Sequence, residues 1–172
     1  MLVNPEVSQL ANPRGWLALS VAVVVLSMGS ALYFQYGLGL EPCPLCVLQR
    51  VAIIGAGIVA GFGLLAAQAR WQFIAAVTAI VIALAGAAVA GWHSWILAFP
   101  PESLSCGRPF QWFHEDFPLA LWLPRLFAGE GDCLAVDWTF LGLAIPHLSL
   151  IAFVLLIGLA AWAAHLAWRR LR

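Results

Sequence analysis

The 172-residue sequence predicts an all-α integral membrane protein, a four-transmembrane-helix bundle with two outer loops, the second carrying an interfacial segment. Three observations lead there. Hydrophobic residues make up 63% of the chain and charged residues only 9%, a balance no ordinary soluble domain has. Four stretches reach the ~20 apolar residues that a spanning helix needs. The charges gather where those stretches end. Little chain remains for an extramembrane domain, so residues 1–172 read as one four-helix membrane domain.

Residues 1–13 are polar, carry Pro5 and Pro13, and read as a short tail. The first helix, Gly15 to Tyr33, meets no ionisable residue before Tyr33 and Tyr36 at its outer rim. It exceeds a signal-peptide core of about 7–15 residues and lacks a cleavage site, so it is expected to be retained. The second helix, Val47 to Gln68, carries Gly57 and Gly61 in a GxxxG spacing that allows close helix approach. The third, Trp71 to Leu97, repeats small residues at Ala75, Ala79, Ala83, Ala87 and Gly91, a second packing ridge. It ends at Gly91-Trp92-His93-Ser94-Trp95, with tryptophans where an interfacial aromatic belt belongs. The fourth runs from Ile145 to Trp168.

Two outer loops remain, about 37–46 and 98–144. Within the second, Phe110 to Phe117 and Leu119 to Phe127 are too apolar for a free loop, and Pro118 and Pro124 prevent a span. A segment lying in the membrane interface fits that composition. Arg14, Arg70, Arg169, Arg170 and Arg172 flank one set of helix ends, whereas Glu41, Asp132 and Asp137 are among the acids on the other. By the positive-inside rule both termini are cytoplasmic and the two loops face outward. The net charge is zero and no basic patch exists, so nucleic acid is not an expected partner; the lipid bilayer is.

All four cysteines, Cys43, Cys46, Cys106 and Cys133, lie in the outer loops. An even count confined to the oxidising side points to disulfide chemistry. In Glu41-Pro42-Cys43-Pro44-Leu45-Cys46-Val47-Leu48-Gln49-Arg50, a helix starting near Pro44 puts Cys43 at the cap and Cys46 in the first turn. The positive field of a helix N-terminus favours thiolate over thiol. Arg50, four residues beyond Cys46 on the same helical face, adds a second positive charge. The combination reads as a redox site.

Plainer readings stand beside it. Both pairs could be staples: loop closure gives a Cys106–Cys133 bond about 3.5 kcal/mol and a Cys43–Cys46 bond about 2. The short bond is the poor staple, because the membrane already holds that helix. Closed four-cysteine zinc sites favour two close pairs, and only one pair is close here, so no metal is expected. Arg50 near a helix end could snorkel to headgroups. His93, at about the depth of Arg50, could be an interfacial anchor or a proton-passing ligand.

The chain resembles the disulfide-bond formation protein B (DsbB) family of bacterial inner-membrane thiol:quinone oxidoreductases. The likeness rests on Pro42-Cys43-x-x-Cys46-x-x-x-Arg50, Gly131-Asp132-Cys133 and Trp138-x-Phe140-Leu141-Gly142-Leu143-x-x-Pro146, and covers almost the whole chain. It implies a multi-pass protein of the inner membrane with its cysteines in the periplasm. It implies a DsbA-like thioredoxin-fold partner that attacks Cys106, with Cys133 then attacking Cys43. Cys46 would be released as the thiolate that contacts a quinone (ubiquinone or menaquinone) from the membrane pool. Arg50 would hold thiolate and quinone oxygen, and His93 would sit near the ring. Pro44 between the paired cysteines and a first helix without a carboxylate set this chain apart. Vitamin K epoxide reductase-like enzymes place the loop pair before the CxxC, the reverse of the order here. The alternative from another class is a non-catalytic membrane protein with two structural disulfides.

Overall fold

The computed structural model describes residues 12–100, 129 and 131–172; the tail, Cys106 and the expected interfacial segment lie outside the described residues. Helix α1 runs Pro13–Leu32 and continues as a π-helical turn, Tyr33–Gly37. Helices α2 (Pro44–Leu65), α3 (Ala69–Ala98) and α4 (Ile145–Arg169) follow. All four are long and apolar enough to cross a membrane. The chain is a four-span helical membrane protein.

Local chemistry explains the helix bounds. Asn12 caps α1 by accepting from the Arg14 N–H at 3.2 Å, and Pro13 occupies the first turn with its φ already set. Helix α2 begins at Pro44, earlier than the apolar run that starts at Val47, because its first turn is capped by Cys43. It stops at Leu65, short of Gln68, where Ala66 turns extended. The Ala66 carbonyl then accepts from Arg14 Nη2 at 2.9 Å and Gln72 Nε2 at 2.8 Å. Arg170 Nη1 donates to Asn12 Oδ1 at 3.4 Å. These bonds gather the start of α1, the α2–α3 turn and the end of α4 at one end of the bundle. The described cysteines lie at the other.

Each helix packs on its chain neighbour, and α1 closes the ring against α4. Leu17, Ala60, Ala76 and Ala163 fill the arginine end. Val24, Ile53, Ala83, Ala90, Phe153 and Leu156 fill the middle, and Cys43, Leu45, Ile96 and Cys133 the cysteine end. The expected small-residue ridges are corrected in part. Ala75, Ala79 and Ala83 are buried and Ala87 packs against the core, but Gly86 and Ala90 are the fully buried small residues beyond Ala83, and Gly91 faces open space. A four-residue step overshoots a helical turn by about 40°, so a strict every-fourth ridge walks off the contact. Likewise Gly57 lies against Val24, whereas Gly61 of the same GxxxG faces open space.

Phe153, 0% exposed, sits where Gly86 leaves room for its ring against Ala52. Trimming it leaves a cavity that the bundle cannot close. Phe153→Ala is therefore expected to cost about 3 kcal/mol, read as a lowered midpoint in denaturing-detergent titration. An unchanged midpoint would mean that this layer is loosely packed.

A feature not expected from the sequence precedes α4. Strands β1 (Thr139–Phe140) and β2 (Leu143–Ala144) pair antiparallel, Thr139 with Ala144 and Phe140 with Leu143. Leu141 at φ 51° and Gly142 at φ 80° make the two-residue turn, whose positive φ values match the twist of a tight hairpin. Trp138 stacks on Phe140 at 6.2 Å and meets Phe34 at 4.5 Å, tying the hairpin to the end of α1. Ile145 and Pro146 then open α4.

Candidate active site

The helix start predicted at Pro44 shapes the cysteine turn. Cys43 is the cap, extended at φ −81° and ψ 164°, and its sulfur accepts from the Cys46 N–H at 3.3 Å. Its thiol donates to Cys46 Sγ at 2.9 Å. Cys133 arrives from the segment before the hairpin, 1% exposed, and packs with Cys43, Leu45 and Ile96. Hydrogen bonding with Cys133, then with Cys46, and then burial all push the Cys43 thiol above its ordinary range. A sulfur that keeps its proton is a poor nucleophile. Three of the four predicted cysteines are thus brought together, and the fourth, Cys106, lies outside the described residues.

His93 projects from the last turns of α3 into this cluster and is 2% exposed. Its Nε2 lies 3.0 Å from the Cys133 carbonyl oxygen and 3.9 Å from Cys43 Sγ. A carbonyl only accepts, so Nε2 carries the hydrogen, and Nδ1 is left to accept from the Gln49 amide at 3.3 Å. These partners assign the tautomer. The donor atoms of Cys43, Cys46 and His93 lie within 4.8 Å of one another, a spacing a thiophilic metal ion accepts. Both ring nitrogens are engaged in this arrangement, however, so the imidazole offers no lone pair to a metal without giving up a partner.

Arg50, on α2, is 8% exposed and does not reach for the surface. Its Nη1 donates to Gln35 Oε1 at 2.7 Å, and Nη2 to the Ala31 carbonyl at 3.4 Å. Gln35 belongs to the π turn, whose extra residue per turn shifts the helical phase. Arg50 stands one turn beyond Cys46 on the same helix. Beside them lies a cavity of about 250 Å³, near the small end of the ~300–1,000 Å³ usual for small-molecule sites. Met28, Phe34, Ile53 and Phe153 give it apolar walls, and Cys46, Gln35, Arg50 and Glu41 give it polar edges. His93 does not line it. A second, smaller space of about 50 Å³ lies against His93, Cys43, Cys46 and Trp138.

The turn therefore stands between two surroundings, a ring-sized apolar cavity on one side and Cys133 with His93 on the other. The family model described as "Disulfide bond formation protein DsbB" matches residues 13–163, which include the turn, His93 and Cys133. The chain belongs to the DsbB family. Curated relatives agree along nearly their whole lengths. The Disulfide bond formation protein B of Paracidovorax citrulli is 41% identical over 146 residues, covering 85% of this chain and 83% of that one. That of an Acidovorax species is 43% identical over 143 residues, covering 83% and 82%. That of Methylococcus capsulatus is 39% identical over 161 residues, covering 92% and 96%. Membership in the DsbB family makes the chain a multi-pass membrane oxidoreductase of disulfide bond formation.

In this DsbB-family site, Gln49 and Gln35 were not singled out from the sequence. Each could have been found by one signal: a neutral amide within an apolar helix must find a partner or a bound group. Glu41 is a similar case. Helix one carries no carboxylate, but among the described residues Glu41 brings one to the edge of the larger cavity.

Proposed function

We propose that the protein reoxidises a periplasmic DsbA-like thioredoxin-fold protein and passes the electrons through its two cysteine pairs to a membrane quinone, ubiquinone or menaquinone. The observation that carries this reading is the position of Cys46, which shares an apolar cavity with Arg50 while its mate Cys43 packs against Cys133. A partner thiolate attacks Cys106 of a Cys106–Cys133 disulfide and releases Cys133. Cys133 attacks Cys43 of the Cys43–Cys46 disulfide, forming one S–S bond, breaking another and expelling Cys46 as thiolate. Rates of such steps depend on thiolate fraction and on the leaving sulfur.

The larger cavity has the apolar walls and the Arg50 edge that a flat ring carrying an acceptor oxygen would use. A quinone held there supplies the two-electron acceptor for the pair. Cys46 and Arg50 would hold it. His93, expected at the ring from the family resemblance, lines the smaller space beside Cys43 and Cys46. Arg14, Arg70, Arg169, Arg170 and Arg172 at one end of the bundle support, by the positive-inside rule, a cytoplasmic side there and a periplasmic side for the cysteines.

The test uses the purified protein in detergent, a reduced DsbA-like protein and a soluble quinone. Quinone reduction should require both. Cys106→Ser is expected to lower partner-driven turnover by about a hundredfold or more, while reduction driven by a small dithiol that reaches Cys43–Cys46 directly stays within a few-fold. Full partner-driven turnover in Cys106→Ser would remove that cysteine from the route. No turnover by the parent protein with several quinones and partners would favour two structural disulfides.

A further inference from the structure

The sulfur-to-sulfur step proposed above needs Cys133, which arrives on a separate stretch of chain, to meet Cys43 at bonding distance. The described residues include an arrangement that packs Cys133 beside Cys43 through the backbone of the arriving segment. The Gly131 N–H donates to the Pro42 carbonyl at 3.2 Å, laying the strand along the cysteine turn. A Cβ at Gly131 would run into the backbone of Glu41 and Pro42. A Cβ at Gly129 would stand 2.6 Å from Val47 Cγ2 and 3.1 Å from the Cys43 carbonyl carbon and oxygen. Real side chains do not tolerate the closest of these approaches, so only glycine lets the two backbones touch here. Two residues beyond Gly131, His93 Nε2 donates to the Cys133 carbonyl at 3.0 Å. Gln49 holds the ring in the tautomer that can do so.

We infer that Gly129, Gly131 and the Gln49–His93 pair form a preformed seat that clamps Cys133 against Cys43. The glycines bring the strand into backbone contact, and the imidazole pins the carbonyl of the cysteine itself. All four are positioning residues. Holding reacting atoms near bonding distance replaces a search by a loop with a near-unimolecular step, which is where large rate factors arise. The purpose assigned to the seat rests on the relay proposed above, but its geometry does not.

The experiment therefore needs neither quinone nor partner. In the full chain carrying Cys46→Ser and Cys106→Ser, only Cys43 and Cys133 remain as thiols. Diamide oxidises them to one disulfide, taking up the two electrons and two protons, and the bond is followed by gel mobility and peptide mass. Rapid bond formation is expected in this parent, and a slowing of at least about tenfold on adding Gly131→Val. Ala135→Val, which adds bulk to an exposed residue of the same segment, should stay within twofold. His93→Leu should slow the bond several-fold, and His93→Gln, which keeps an N–H donor, should recover part of the rate. Should Gly131→Val fail to fold by circular dichroism, Gly129→Ala takes its place with the same expected slowing. A glycine variant that closes the bond at the parent rate overturns the seat, and so does a parent in which the bond does not form. Normal bond formation in this parent, together with no quinone reduction by the protein that keeps all four cysteines, would refute the proposed function and leave the seat standing.

Discussion

Cys46→Ser is expected to lower quinone reduction by about three orders of magnitude or more, whichever thiol drives it, because it removes the group between sulfur chemistry and the cavity. Cys46 is half-buried, sits in the first turn of α2 and lines the larger cavity, whereas Cys43 does not. A serine hydroxyl keeps the size of the thiol but forms no disulfide with Cys43 and is a far weaker leaving group. Cys133 of the variant can still bond to Cys43, so the protein should accumulate that cross-linked form when oxidised. Turnover near the parent rate would show that electrons leave the chain elsewhere, and the assignment of the cavity would fall with it.

Arg50→Met is the second large effect. The side chain keeps most of its apolar length, but the guanidinium and its 2.7 Å bond to Gln35 are lost. Hydrogen bonds to charged groups contribute about 1.5–3 kcal/mol, and one tenfold step corresponds to about 1.4, so a loss of roughly 10- to 150-fold follows. That loss should appear in kcat/KM for quinone under small-dithiol drive. Partner affinity should be little changed, since the guanidinium points between α1 and α2. Arg50→Lys should recover little, because a single ammonium cannot reach Gln35, Ala31 and a ligand in the fork geometry of arginine. Quinone kinetics that do not respond to Arg50→Met would mean that the residue merely joins α1 to α2.

The site was legible in the sequence where its chemistry is local. Pro44 at a helix start, Cys43 at the cap, Cys46 in the first turn and Arg50 one turn on follow from helix geometry alone, and the structure has each in place. The site was not legible where partners come from afar. Gln49 and His93 meet across two helices, and Gln35 reaches Arg50 from the π turn of a third. Nothing in a one-dimensional pattern sets the rotation of one helix against another. For the same reason the ridge does not extend to Gly91, and Gly86 with Phe153 had to be seen in three dimensions.

The sequence by itself determined four spans, the end of the bundle that gathers the arginines, and a reactive cysteine turn, because hydropathy, charge and capping act over a few residues at a time. Only the tertiary structure decided which face of that turn meets the cavity and which meets Cys133, and which of the two spaces His93 lines. Those choices depend on how the helices pack and where Gly129 and Gly131 let a distant strand touch Cys43 and Pro42, contacts between residues about 90 apart in the chain.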